Sequence, residues 1–448
     1  MTLSGRRKEL YHASGHQMAL REGNGLCTIS LAPDSNMFTW QLKAKHVHTI
    51  DGKRRVPSHE VPTNVQGRFQ LCLPSRAWEI TSLSESYLDC IHIAIPDQVC
   101  GYLASSQTLN YEKMSRAVVP TATIGDPVEL YKLVTKDIPK ASSGNVVVRL
   151  TLRPVNPTDS LVIQWGVWAG HDLDKLVVGS EGTGVVYELG EGVTNFKKGQ
   201  RVIPLIFGRY YPEGYGLWRD YVEIPAKDCV AVPDDIPDEF AAQFFINPWA
   251  LYQMLKLLNI PKGEYLIQGA AASVLGRQVI TLAKHWGIKT INIVRRDSHI
   301  QELKDIGADY VLNSETEDIP AKVDEITGGK KAYGALDPVL GDMTKILFAS
   351  VRNGGQVLAY GALSGNDVKL DVKDLMRGVD LKFFLVNDLG HDLAKREETS
   401  KEIFELMRQK VLEPLSGKKF PLEEFQEAMI EGNKPGRGGK VFLESYDH

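Results

Sequence analysis

The clearest apolar–polar pattern in the chain lies between Glu264 and Arg296. Glu264–Gln268 is a short apolar run followed by turn chemistry, which predicts a buried strand. Gly269-Ala-Ala-Ala-Ser-Val-Leu-Gly276 is a turn of small residues that opens a helix. Val274, Ile280, Leu282 and Ala283 give that helix an apolar side, and Gly287 is its stop. Thr290–Val294 is β-branched and reads as a second strand. Strand, small-residue turn, helix and strand form the βαβ unit that seats a dinucleotide pyrophosphate on a helix N-terminus.

Before this unit the pattern is β-rich and irregular. Ser115–Val119 and Glu129–Leu133 read as strands joined by the turn Gly125-Asp126-Pro127, and Asn145–Leu152 alternates as a half-buried strand does. The prolines of Arg153-Pro-Val-Asn-Pro-Thr-Asp159 break regular structure. Leu176–Ser180, Thr183–Leu189 and Arg201–Leu205 continue as short strands, and Phe207–Leu217 reads as a glycine-containing loop. Asp238–Leu258 is helical, with Asn247-Pro248 predicting two helices that meet there. Beyond the βαβ unit come a helix at Gln301–Ile306 and strands at Tyr310–Leu312, Gly334–Leu336 and Gly355–Tyr360. This alternation predicts a parallel sheet covered on both faces. From about Phe384 the chain is expected to return to the first domain, with a helix at Lys401–Met407 and a last strand at Lys440–Leu443.

The expected organisation is therefore α/β. A β-rich domain at 114–240 is completed by 386–448, and a nucleotide-binding domain at 241–385 is inserted between them. Residues 1–113 form an unassigned extension. Its apolar pieces, Ile80–Leu83 and Ile91–Ile95, sit among polar stretches without a clear period. A poorly ordered extension, an accessory domain and a segment removed from the working protein all fit that pattern.

Composition narrows the function classes. At 448 residues there is room for two or three domains, and 43% hydrophobic with 24% charged residues is ordinary for a globular protein. A formal net charge of −4 gives no global basic field for nucleic acid or membrane. Lys53-Arg54-Arg55 reads as a solvated loop. The five cysteines are odd in number and show no CxxC pair, which argues for a reducing compartment. No run of about 18 apolar residues predicts a membrane span. Arg6-Arg7-Lys8 and Arg21 lean toward an organelle presequence while Glu9 and Glu22 lean away, so cytoplasmic and mitochondrial locations both stand.

The turn carries the candidate cofactor chemistry. Its spacing fits Ala270-x-x-Ser273-x-x-Gly276, with Ala and Ser where the strict fingerprint has Gly. Gly276 suits close helix–strand packing, and the Ser273 hydroxyl can donate to a phosphate. About 20 residues past such a turn, an NAD site places a carboxylate on the ribose 2′-hydroxyl. This chain has Arg295-Arg296 there, followed by Asp297, which could pair with either. One charge-assisted hydrogen bond to a 2′-phosphate contributes about 1.5–3 kcal/mol, roughly a ten- to hundredfold preference for NADP(H).

Residues 114–448 resemble the medium-chain dehydrogenase/reductase superfamily. The matching parts are Arg116-Ala-Val-Val, Asn156-Pro-Thr-Asp159, Gly179-Ser-Glu-Gly-Thr-Gly184, the Gly269–Gly276 turn, Gly307-Ala-Asp309, Gly354-Gly355 and Tyr360-Gly361. The resemblance implies a GroES-like β-rich catalytic domain around an inserted Rossmann domain, with the active site in the cleft between them. Zinc-dependent members look like Gly-His-Glu where this chain has Gly179-Ser180-Glu181, and carry a Cys ligand where it has Asn156-Pro157. No metal is expected. Within the zinc-lacking branch, Ile246-Asn247-Pro248 and Thr290-Ile-Asn-Ile-Val-Arg295 are similar to 2-enoyl thioester reductases, with quinone reductases next.

That resemblance implies hydride delivery from NADPH to the β-carbon of an enoyl-CoA or enoyl-carrier-protein, then a proton to the α-carbon. Such reductases have a tyrosine donor in a Gly-Val-Tyr-Pro-like segment, where this chain has Gly166-Val-Trp168-Ala. Trp168 can polarise the carbonyl but is not a usable acid, so either water supplies the proton or Tyr210, Tyr211 or Tyr215 takes over. The candidate catalytic residues are Trp168, Asn156 and Tyr211. The candidate cofactor residues are Ala270, Ser273, Val274, Gly276, Arg295, Arg296, Tyr360 and Gly361. Arg209, Arg219 and Arg352 are candidates for the phosphate of an acyl-thioester carrier. The family suggests a homodimer through edge strands. The alternatives are an NADPH:quinone or enone reductase and a cofactor-binding protein with little catalysis.

Overall fold

The computed structural model describes residues 114–365, 367–368, 370–386, 393–434, 436 and 438–445, together with five strands between residues 9 and 70. Two compact units separate at Leu109–Asn110. In the first, β1 (Glu9–Ala13), β2 (Gln17–Glu22), β3 (Gly25–Leu31), β4 (Met37–Ala44) and β5 (Asn64–Gln70) form an antiparallel meander in sequence order. The extension thus contains a sheet that its apolar pattern does not announce. Ile80–Leu83, Ile91–Ile95 and Lys53-Arg54-Arg55 lie outside the described residues.

In the second unit β6 (Met114–Pro120) pairs antiparallel with β7 (Tyr131–Asp137). The larger strands follow in order: β8 (Asn145–Pro154), β9 (Thr183–Leu189), β10 (Arg201–Pro204), β11 (Tyr221–Pro225) and β12 (Cys229–Ala231). Then come β13 (Tyr265–Gln268), β14 (Lys289–Val294), β15 (Tyr310–Asn313), β16 (Ala332–Asp337), β17 (Val351–Ala359) and β18 (Asp380–Phe383). The chain closes with β19 (Ser416–Pro421) and β20 (Lys440–Glu444). One sheet of seven strands runs β12-β10-β9-β8-β20-β19, with β11 also on β8. The late return of the chain is visible in β20, which lies antiparallel to β8.

The other sheet has six strands in the order β15-β14-β13-β16-β17-β18, all parallel. Numbered from β13 this is 3-2-1-4-5-6, the doubly wound Rossmann order, whose reversal falls between β13 and β16. Five successive residues of β14 are buried, as a strand covered on both faces requires. The helix Val274–Trp286 starts at Ser273, whose hydroxyl accepts from the Gly276 N–H, and stops at Gly287 in the left-handed region.

Five sequence expectations need correction. Glu129 and Leu130 belong to a helical turn, Pro127–Leu130, because Asp126 caps the Val128 N–H at 2.8 Å; the strand begins at Tyr131. Leu176–Ser180 is buried but is no strand: Val177 makes one bridge to Tyr215, and Gly179 at φ +104° breaks the extension. Phe207–Glu213 is a helix ended by left-handed Gly214 rather than a loop. Pro157 does not merely interrupt: it occupies the first turn of the helix Pro157–Gln164, where a missing N–H costs nothing. At Asn247-Pro248 the helical run widens into a π turn, Phe245–Trp249, because Pro248 has no N–H to offer.

Candidate functional site

At the reversal point of the parallel sheet lies a cavity of about 670 Å³. Ala270, Ala272, Ser273 and Val274 line it from the turn after β13, and Val294, Arg295 and Arg296 from the end of β14. Val339, Met343, Leu363 and Ser364 wall it from the side of β16 and β17. Pro157, Leu415, Gly432, Asn433, Lys434, Gly436, Gly438 and Gly439 close it from the other domain.

The turn is built for close approach. A Cβ on Gly276 would stand 2.6 Å from the Ala271 carbonyl oxygen, so only glycine fits there. Ala270 is held at φ +46°, a left-handed conformation where the strict fingerprint has Gly. The Ser273 oxygen is occupied by the Gly276 N–H at 3.0 Å, which leaves the hydroxyl proton to donate outward. Arg295 and Arg296 are exposed, and their guanidinium groups form no ion pair or hydrogen bond among the described residues. Asp297 does not neutralise them, since its carboxylate accepts from the Asn313 side-chain amide at 2.7 Å. These residues fit a dinucleotide carrying a phosphate near its adenosine ribose.

Tyr360 and Gly361 are not among the residues that line the cavity. A Cβ on Gly361 would meet the Pro338 carbonyl at 2.7 Å, so the glycine serves packing. The Tyr360 hydroxyl is buried without a hydrogen-bond partner among the described residues, and burial raises its pKa.

The domain wall opposite holds a buried polar cluster. Asn156 is 1% exposed. Its side-chain amide donates to Ser180 Oγ at 3.1 Å and to Glu181 Oε1 at 3.0 Å, and its oxygen accepts from Lys440 Nζ at 2.6 Å. Glu181 Oε2 accepts from the N–H groups of Phe245 and Ile246 at 3.1 and 2.8 Å. Asp159 Oδ1 accepts from the Ser180 N–H and the Tyr210 hydroxyl, and Oδ2 from the Asn156 N–H. Burial pushes Glu181 up to about 7, with the Lys440 ammonium pulling it back, and pushes Asp159 up to about 6. Asn156 is therefore a structural node that does not face the cavity. The cluster's donors do not fit zinc, because a lysine ammonium points into it and the described residues hold no group of three His, Cys, Asp or Glu that could take a metal.

Trp168 needs the largest correction. Its side chain is fully buried, and its indole N–H is shared between the carbonyls of Tyr210 and Tyr211 at 3.1 Å each. No donor is left for a substrate oxygen. Tyr210 is also buried, with its hydroxyl committed to Asp159. Tyr215 donates to the Glu223 carbonyl and is sandwiched between Arg209 and Arg219. Tyr211 stands apart: its hydroxyl pairs with Thr158, next in sequence to the cavity residue Pro157. Burial raises the Tyr211 pKa.

Arg209, Arg219 and Arg352 lie off the cavity, Arg352 stacking on Tyr333. Sequence reasoning missed Arg277, His299 and Glu302, which do line it. Arg277 follows Gly276 one helical turn after Ser273, a spacing that places both on one face. The sequence pattern marks Lys440 only as part of a strand.

Comparisons with known proteins agree with this architecture. Residues 142–234 match the family described as alcohol dehydrogenase GroES-like domain, and residues 274–406 match zinc-binding dehydrogenase. The mitochondrial enoyl-[acyl-carrier-protein] reductase of Dictyostelium discoideum is 31% identical over 73% of this chain and 94% of its own length. That of Xenopus tropicalis is 31% identical over 71% and 92%. A crystal structure of a candidate NADPH:quinone reductase from Bacillus thuringiensis superposes with a TM-score of 0.68 and 28% identity, covering 74% of this chain and 99% of that one. The chain belongs to the medium-chain dehydrogenase/reductase superfamily, with its GroES-like and Rossmann-type domains. Within that superfamily its relatives are enoyl reductases and quinone oxidoreductases.

Proposed function

We propose that this protein is an NADPH-dependent reductase of activated C=C bonds, with 2-enoyl thioesters as its substrate class. The observation that carries the cofactor reading is the pair of exposed guanidinium groups at the end of β14, without a partner among the described residues and on the same cavity as the Ser273-capped helix. Near-full-length similarity to reductases named for enoyl-carrier-protein supports the substrate class.

NADPH, when bound, supplies the hydride. The chain's part is to seat the pyrophosphate on the first turn of Val274–Trp286 and to hold the 2′-phosphate with Arg295 and Arg296. Tyr211 is the proposed proton donor: burial keeps it protonated, and its hydroxyl pairs with Thr158, next in sequence to the cavity residue Pro157. The engaged indole of Trp168 favours a second reading, quinone or enone reduction, in which hydride delivery needs little acid catalysis.

A homodimer through β18 is part of the proposal. This edge strand is exposed, with Leu381 and Phe383 at 39% and 45%. A mitochondrial location follows the relatives' names. The test is NADPH oxidation by the purified full chain, comparing a trans-2-enoyl-CoA with a simple quinone. Enoyl thioester turnover that drops about 100-fold or more in Tyr211→Phe supports the reading. Quinone turnover alone selects the second reading, and turnover of neither leaves a cofactor-binding protein.

A further inference from the structure

The cationic end of the cavity contains a third guanidinium. Arg277 lines the cavity with Arg295 and Arg296, and unlike them it is held. Its Nη2 lies 2.6 Å from Glu302 Oε1, and its Nε donates to the Ala272 carbonyl at 3.2 Å. His299 Nδ1 stands 3.5 Å from the other Glu302 oxygen. Glu302 is the one carboxylate among the residues lining this cavity. Its side chain is 51% exposed, whereas that of Arg277 is 16% exposed.

We propose that Arg277 completes the subsite for the ribose 2′-phosphate, and that Glu302 is the counter-ion that positions it and yields when the phosphate arrives. The proposal rests on the NADP(H) reading above. A phosphate monoester and a carboxylate offer a guanidinium the same pair of acceptor oxygens, so they compete for one fork. The exposed Glu302 can turn to water at little cost, while Arg277 stays hooked to the Ala272 carbonyl. A cofactor without the 2′-phosphate gives Glu302 nothing to yield to. The pair therefore adds discrimination at the price of some affinity, because the phosphate must first displace the carboxylate.

The test is calorimetric titration of the full chain with 2′,5′-ADP and with 5′-AMP, which needs no hydride acceptor. KM values for NADPH and NADH are read alongside. Arg277→Ala is expected to weaken 2′,5′-ADP by about tenfold or more and leave 5′-AMP unchanged, with Arg277→Lys recovering part of the loss. Glu302→Gln frees Arg277 and is expected to tighten 2′,5′-ADP about two- to fivefold, again without effect on 5′-AMP. Equal shifts for both ligands in Arg277→Ala, or unchanged or weaker 2′,5′-ADP binding in Glu302→Gln, would overturn the proposal. A wild-type chain that binds both ligands equally would overturn the NADP(H) reading with it. A wild-type preference for 2′,5′-ADP that neither variant alters would overturn this proposal alone.

Discussion

Lys440→Met removes the one ammonium that points into the buried cluster, and its cost should depend on pH. Lys440 is 4% exposed and donates to Asn156 at 2.6 Å, while the neighbouring Glu181 is 1% exposed. Loss of the ammonium orphans the Asn156 oxygen, at about 1–3 kcal/mol. It also strips a buried carboxylate of its counter-charge, which brings the total to about 3–5 kcal/mol when Glu181 is ionised. Burial already lifts Glu181 from 4.5 to about 7, with Lys440 opposing the rise. A carboxyl whose folded pKa is raised burdens the fold only above its unfolded pKa, and the burden grows until pH passes the folded value. Without Lys440 the folded value climbs further, so the penalty keeps growing above pH 7 by about 1.4 kcal/mol per added unit.

Urea unfolding at pH 5.5 and pH 8.5, followed by tryptophan fluorescence, reads this directly. The expected loss is about 1–3 kcal/mol at pH 5.5, where Glu181 is neutral in the variant, and about 3–5 kcal/mol at pH 8.5. Adding Glu181→Gln should remove the pH-dependent part. Equal losses at the two pH values, or a loss below about 1 kcal/mol at pH 8.5, would show that the ammonium does not balance Glu181.

Trp168→Phe should cost about 1–3 kcal/mol of stability through the lost indole hydrogen bonds and the smaller ring, while kcat per folded molecule stays near wild type; chemical unfolding and NADPH oxidation measure the two. Gly276→Ala should cost about 1–3 kcal/mol and abolish NADPH binding, because its Cβ is forced against the Ala271 carbonyl; thermal unfolding and fluorescence titration check both. Ala270→Gly should raise stability by up to about 1 kcal/mol by relieving the left-handed backbone, visible as a higher Tm.

The parallel sheet was legible because its strands are buried on both faces and its helix carries both of its own punctuation marks, Ser273 and Gly287. Such signals are local. The β-rich domain was read less well where local and tertiary demands part. Leu176–Ser180 has a strand's composition, yet its apolar side chains are consumed by the core and Gly179 redirects the backbone. Phe207–Leu217 carries a loop's glycines, yet Tyr210 is pulled inward by Asp159, some fifty residues earlier. The site divides the same way. The turn and the arginines follow from spacing along one βαβ unit. The fate of the Trp168 N–H depends on carbonyls that only the fold brings to it, and no pattern around Gly166-Val-Trp168 encodes that.

The buried cluster also shows how this chain joins the walls of its cleft. By the resemblance, Ser180 and Asn156 stand where zinc-dependent members of the superfamily place ligands, and neither side chain here is a metal donor of that kind. Lys440 supplies a positive charge in the same neighbourhood and Glu181 a negative one. The bonds then run outward in two directions. Through the Phe245 and Ile246 N–H groups, Glu181 grips the entry to the π turn. Lys440 follows directly on Gly438 and Gly439 of the cavity wall, and Asn156 directly precedes Pro157 on the same wall. A displacement at any of these backbone segments must break a buried, charge-assisted hydrogen bond, which is how the cluster can fix the geometry of the cleft.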